Sequence, residues 1–337
     1  MSDNCVYVLG TGSNKLILIV WVDDIIVAAS SVQQAEYVKI LLAEKFKMKD
    51  FGIVSNFLGI EFDIAEDLIK MHQTKYTQKI LERFKMSDCH PKYVPCDLST
   101  ANIDFDVQSP LLQDPRLYRE IVGSLVYLMT CTRPDICYAV TVLSQHLAQP
   151  NMAHLNLAKY VLRYLKGSIN YGLIFHRRGN IHIEGYADAC WGSAGDRKSI
   201  SGYCYKLSSE TAFISWKSKK QQVVALSSCE AEYVAITHAM QEGIFLQQLL
   251  CDMAVFQELD KVVLLHVDNM GAIDLCKNPV HHQRSKHIDI KYHFILSKIC
   301  DGSFVLEYVP SKENIADIFT KACTKLSLRK FNIINLV

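Results

Sequence analysis

The run LILIVWVDDIIVAASS, Leu16 to Ser31, constrains the fold more than any other stretch of the chain. Val and Ile at this density build strands, and the adjacent Asp23 and Asp24 interrupt the run where a hairpin has its turn. Such a hairpin belongs in a sheet with partner strands on either side. Two carboxylates side by side at its tip cannot both stay ionised cheaply unless a divalent cation lies against them. The residues alone leave both readings open, a plain turn or a metal site.

At 337 residues there is room for two or three domains, each with its own core, and a hydrophobic share of 50% allows a large interior. Lys+Arg 36 against Asp+Glu 35 gives a formal charge of +1, which excludes the globally basic balance of many nucleic-acid binders but leaves room for local basic stripes. The 12 cysteines include no C-x-x-C pair, and MSDNCVYV does not read as a signal peptide. Free thiols in a reducing compartment, cytoplasmic or nuclear, are therefore expected. The apolar run from Leu16 stops at Asp23, short of the ~18 residues that a membrane span needs.

Downstream, SSVQQAEYVKILLAEKFKMKDFG places Val38, Leu41, Leu42 and Phe46 at helical spacing and predicts a helix ending at Gly52. FLGIEFDI alternates as a strand, and KYTQKILERFKM reads as a short helix. Residues 91–115 are rich in turn formers and form a connection between subdomains, followed by two mainly helical segments up to about residue 168. From Asn180 the pattern turns to strands. IHIEGYADACW, ISGYCYKLSSE and TAFISWKSK predict an antiparallel three-stranded meander. A long helix from about Ser228 to Met253 follows, then the strand KVVLLHVDN, a short helix, a helix closed by Gly302, the strand FVLEYVP and a last helix, ENIADIFTKA.

Four acids stand out by position: Asp188 inside a strand, Glu230 opening the long helix, Asp268 ending a buried strand and Asp317 in the last helix. Strands disfavour Asp, so Asp188 and Asp268 each need a reason. Gathered at one end of a sheet, the four would bind two hard cations about 3.5–4 Å apart, and magnesium suits the ligand set. Plainer readings stand beside this one. Glu230 fits a capping box with Ser227, Asp268 fits an Asx turn through Asn269, and Asp317 fits an ordinary exposed helix position.

GYADACWGS, SWKSKKQQVVALSSCEAEYVA, VDNMGAIDL, RSKHIDIKYHFI and EYVPSKENIADIFTKA resemble the ribonuclease H domain of copia-type retrotransposon Pol polyproteins. VDDIIVAAS, MKDFGIVSNFLGIEF, RFKMSDCHP, YREIVGSLVYL and TRPDICYAV resemble the palm end, primer-gripping strands, thumb and connection of the reverse transcriptase in the same polyproteins. The resemblance implies an α+β / α/β chain: a truncated palm-thumb-connection followed by a ribonuclease H-like domain with a mixed five-stranded sheet and flanking helices. Its expected divisions are 1–90 for partial palm and thumb, 91–178 for the connection, 179–326 for the ribonuclease H-like domain and 327–337 for the tail. The implied activity is cleavage of the RNA strand of RNA/DNA hybrids with two Mg2+ ions, for which Mn2+ substitutes. Asp188 would bridge both ions, with Glu230, Asp268 and Asp317 completing their ligation. Lys217, Lys219, Lys220, Arg284, Lys286 and Lys291, with Ser193 and Ser199, are the candidate contacts to the hybrid backbone.

By the same resemblance Asp23 and Asp24 are metal ligands of a polymerase palm at a primer terminus. The third aspartate of such a site belongs to an earlier strand that the 22 residues before Asp23 do not contain, and Trp21 stands where the family has tyrosine. Polymerisation by this chain alone is not expected, and its incomplete palm sheet invites self-association. His281, His282, His287 and His293 lack the partners of a zinc site. The loop before Asp317 lacks the histidine common in related enzymes, with Lys312 as an electrostatic substitute. The competing reading is a non-catalytic nucleic-acid-binding remnant of a transposon polyprotein.

Overall fold

The computed structural model describes residues 2–96, 109–177, 181–193, 195–208, 211–255, 262–277 and 286–330, without the side chains of 13, 286–292 and 329–330. β1 (Val6–Leu9), β2 (Leu16–Trp21) and β3 (Asp24–Ala29) form an antiparallel sheet in that order. Trp21 pairs with Asp24, so Val22 and Asp23 make a two-residue turn. Val22 has φ 52°, a left-handed conformation that a β-branched side chain adopts only under strain. α1 (Val32–Lys45) follows, capped by the Ser31 side chain accepting from Gln34 N. It ends seven residues before the expected Gly52: Phe46 turns extended, and Lys39 pairs with Asp50 at 3.0 Å across the segment that follows. Of this unit only Val6, Leu16 and Val38 are buried hydrophobics, while Tyr7, Leu9, Trp21, Tyr37, Ile40 and Phe46 are exposed.

β4 (Asn56–Phe57), β5 (Ile60–Ile64), β6 (Leu68–His72) and β7 (Gly172–His176) make a second antiparallel sheet in chain order. Leu58 and Gly59, both with positive φ (52° and 73°), close the first hairpin as the two-residue turn that matches strand twist. α2 (Thr74–Arg83), α3 (Arg116–Cys131), α4 (Cys137–Ser144) and α5 (Met152–Lys166) share one core around Ile80, Leu81, Tyr118, Leu125, Leu143 and Leu162. Within it Arg133 and Asp135 form a buried pair at 2.8 Å, and Asp135 also accepts from Tyr164 Oη at 2.7 Å. Such a pair tolerates no missing partner, because the remaining charge would be buried alone.

The third sheet is the mixed five-stranded one expected. β8 (Glu184–Cys190), β9 (Ile200–Lys206) and β10 (Phe213–Lys220) form the antiparallel meander; β11 (Val263–Val267) lies parallel to β8 and to β12 (Phe304–Tyr308), giving the order β10-β9-β8-β11-β12. α6 (Ser228–Asp252) packs on β8 and β9 through Tyr233, Ile236, Ala239 and Met240. α7 (Met270–Lys277), α8 (Lys286–Cys300) and α9 (Lys325–Lys330) complete the element list. Among the described residues no helix is long and apolar enough to cross a membrane.

The expected last helix over ENIADIFTKA is instead a 3-10 turn, Ile315–Phe319. Buried Asn314 dictates this, since its side chain accepts from Ala316 N at 3.0 Å and donates to Ala187 O at 2.9 Å, tying the segment to β8. Gly202 on β9 makes room for it. A Cβ there would lie 2.8 Å from both Phe319 Cβ and Thr320 Cγ2, and Gly202 is the register partner of Asp188. The missing side chain opposite Asp188 is what lets the 3-10 turn lie beside that carboxylate.

Candidate metal centre

β8 carries Asp188 to the end of the sheet where α6 begins and β11 stops. One carboxylate oxygen from each of Asp188, Glu232 and Asp268 lies within 4.8 Å of the other two, the single such group among the described residues. Asp188 and Glu232 are buried, and Asp268 is half-buried. Desolvation first, then the Asp268 and Asp317 charges, push Asp188 up to about 6, although a hydrogen bond from Thr320 Oγ1 to its Oδ2 opposes the rise. Burial pushes Glu232 up to about 9, with Asp188 and Asp268 adding to it. Ala189 N donates to Glu232 Oε1 at 3.1 Å, while Glu232 Oε2 is buried without a hydrogen-bond partner. Burial and mutual repulsion thus hold these acids partly protonated in the absence of a cation.

These donors fit a hard divalent ion. All are oxygens, they converge, and an acceptor otherwise unsatisfied in the interior gains a partner when a cation enters. Asp317 stands next to them rather than within the group of three. It raises Asp188 electrostatically, and its own Oδ1 is paired with Lys321.

Glu230 requires a correction. Its Oε2 accepts from Leu226 N at 2.7 Å, its backbone N donates to Ser227 Oγ at 3.1 Å, and it is half-buried outside the group of three. Ser227 caps the helix while the Glu230 side chain folds back onto the backbone one residue before the cap, and the acid that reaches Asp188 is Glu232, two residues and about 200° further round the helix. Helical register carried the signal, because Glu232 lies four residues before Ile236 and seven before Ala239, on the buried stripe. Asn269 caps α7, its Oδ1 accepting from Ala272 N at 3.0 Å, which leaves the Asp268 carboxylate to the cluster.

Lys217 and Lys219 are exposed on β10. Lys220 is paired with Asp196 at 3.1 Å. Ser193 donates its hydroxyl to Cys190 O at 3.1 Å. Ser199 is fully buried, and its Oγ accepts from Gly192 N at 3.2 Å, so it presents nothing to a ligand. Arg284, His281 and His282 lie outside the described residues, and the side chains of Lys286, His287 and Lys291 do too; His293 is exposed. Lys312 is exposed, and the ammonium among the acids belongs to Lys321, which sequence reasoning missed. Asp23 and Asp24 are exposed at the hairpin tip, and no third acid among the described residues closes on them.

Residues 2–98 match the reverse transcriptase (RNA-dependent DNA polymerase) family. The chain is 34% identical over 333 residues to the Pol polyprotein of transposon RE2 of Arabidopsis thaliana, a match covering 98% of this chain and 22% of that one. It is 32% identical over 247 residues to a Ty5-1 transposon protein of Saccharomyces cerevisiae, covering 70% of this chain and 76% of that protein. The chain belongs to the Pol family of copia-type retrotransposons. It spans about a fifth of the RE2 polyprotein's length. Among solved structures, a foamy viral protease-reverse transcriptase in complex with dsDNA aligns at a TM-score of 0.50 and 14% identity, covering 87% of this chain and 55% of that one. That likeness is one of fold.

Proposed function

We propose that residues 179–326 form a ribonuclease H-like module that cuts the RNA strand of RNA/DNA hybrids endonucleolytically with divalent metal. Residues 1–90 and 91–178 are assigned to the partial palm and thumb and to the connection of a reverse transcriptase. Asp23 and Asp24 are two ligands of a polymerase centre whose remaining acid is not among the described residues. The observation that carries the hydrolase reading is the convergence of Asp188, Glu232 and Asp268, two of them buried, around an unsatisfied Glu232 oxygen.

In this reading Asp188, Glu232 and Asp268 hold Mg2+ or Mn2+, with Asp317 beside them. Divalent ions there supply an activated water and offset charge developing on the scissile phosphate. The chain's part is positional. Ala189 N fixes one oxygen of Glu232, and the Thr320 hydroxyl fixes Asp188 Oδ2. Lys217 and Lys219, exposed on the edge strand β10, are placed to meet phosphates of the hybrid, whose contacts orient without reading sequence.

The test is cleavage of end-labelled RNA in a hybrid with Mg2+ by the full chain and by Asp188→Asn, Glu232→Gln and Glu230→Gln. The first two lose about a hundredfold or more, as expected when a ligand to a charge-stabilising metal goes. Glu230→Gln keeps its activity, and its amide oxygen can still accept from Leu226 N, so its stability stays close to that of the unmodified protein. Equal cleavage by Asp188→Asn refutes the assignment, and hybrid binding without cleavage by any of these proteins favours the non-catalytic remnant.

A further inference from the structure

Lys321 pairs its ammonium with Asp317 Oδ1, four residues earlier, and its charge also acts on Asp188 and Glu232. Its side chain is 52% exposed and that of Asp317 22%, so the lysine is the more open to solvent of the two and the carboxylate the more enclosed. The cluster that it serves is more than a collection of acids, because Glu232 Oε2 is buried there without a partner.

We infer that Lys321 is the resident counter-cation of the acid cluster, holding Asp317 until a divalent ion enters and then releasing it. The inference rests on the metal centre proposed above and adds to it a regulating residue. Four carboxylates at one sheet end repel each other, and a flexible ammonium with a four-carbon stem offsets that repulsion without filling the space between Asp188, Glu232 and Asp268. Because Asp317 cannot serve the lysine fully and an incoming ion fully, metal binding and the Lys321–Asp317 pair are coupled with opposite sign. By reciprocity, removing one strengthens the other by the same factor.

The experiment titrates the metal-free full chain with Mn2+, read by electron paramagnetic resonance of the free ion, so that no nuclease activity is needed. Lys321→Met binds Mn2+ about fivefold or more tightly than the unmodified protein, a coupling of ordinary size. Lys321→Arg, which keeps the charge, binds close to the unmodified protein. In an Asp317→Asn background the Lys321→Met effect shrinks, since the two residues act as a pair. A measurement free of substitutions accompanies these: after reductive 13C-methylation, the Lys321 resonance moves toward that of solvated lysines on saturation with Mg2+. Unchanged or weaker Mn2+ binding by Lys321→Met, or a Lys321 resonance indifferent to Mg2+, overturns the inference. Absence of Mn2+ binding by every protein overturns it together with the metal centre. Mn2+ binding that follows this pattern without hybrid cleavage supports the counter-cation and removes only the nuclease.

Discussion

Stability of the metal-free protein falls as pH rises from about 5 to 9, and Glu232→Gln removes much of that fall. Both buried acids have folded-state values above their ordinary ones, Asp188 moving from 3.8 to about 6 and Glu232 from 4.5 to about 9. A carboxyl group whose value is raised by folding favours the native state fully below its unfolded value, and that contribution is lost as pH climbs through the folded value. For Asp188 the rise corresponds to about 3 kcal/mol at 1.36 kcal/mol per pH unit, and Glu232 adds at least as much as the pH approaches 9. Because the two titrate as a coupled set, the observable is one broad decline rather than two steps. Only about one unit of the Asp188 window lies above pH 5, so Asp188 alone loses about 1.4 kcal/mol across the scan and, at 2–4 °C per kcal/mol, gives a fall of about 3–6 °C in Tm. Thermal melts in EDTA at half-unit intervals across this range measure it. Glu232→Gln, which imitates the protonated acid, melts higher than the unmodified protein at pH 8–9 and on a flatter profile, while Mg2+ raises the unmodified protein most where the acids would otherwise be ionised. A Tm that is flat or rising between pH 5 and 9, or a Glu232→Gln profile parallel to that of the unmodified protein, refutes the placement of these acids in a shared low-dielectric site.

Gly202→Ala drives a Cβ to 2.8 Å from Phe319 and Thr320, an overpacking cost of about 1–3 kcal/mol, and displaces the hydroxyl that orients Asp188; melts and hybrid cleavage both fall, and an unchanged melt counts against the 3-10 turn's seat on β9. Asp135→Ala strands the buried Arg133 guanidinium and costs about 3–5 kcal/mol in denaturant unfolding, where a loss below about 1 kcal/mol would show that the pair is dispensable. Lys217→Ala and Lys219→Ala each weaken hybrid binding independently of sequence and reduce the salt slope of log K by about one, measured by fluorescence anisotropy across salt concentrations.

The strands were legible in the sequence because their alternation is strong: the β8–β9–β10 meander, β11 and β12 all lie where period-two patterning puts them. Asp188 was legible for the same reason, as an acid where a strand has no other use for one. Glu232 was not, because the Ser227–Glu230 capping pattern drew attention to the wrong member of Glu-Ala-Glu; local hydrogen bonding satisfies Glu230 and helical phase buries its neighbour. The 3-10 turn at Ile315–Phe319 escaped because helical spacing in ENIADIFTKA does not reveal that Asn314 binds Ala187 on another strand. Ser199 and Lys321 show the same limit. A hydroxyl next to a loop and a lysine after an acid look alike in sequence whether they face water or a neighbour, and only packing put the first inside and the second among carboxylates.

The scant interior beneath β1–β3 and α1 has a kinetic consequence. With three buried apolar side chains, this segment lacks the contact density that keeps amides closed, so its hydrogen bonds open far more often than those of β8 or α3. Deuterium uptake over residues 6–45 will therefore outrun that over β8 and α3, and a protease will cut within 6–45 before it cuts within the acid-bearing sheet.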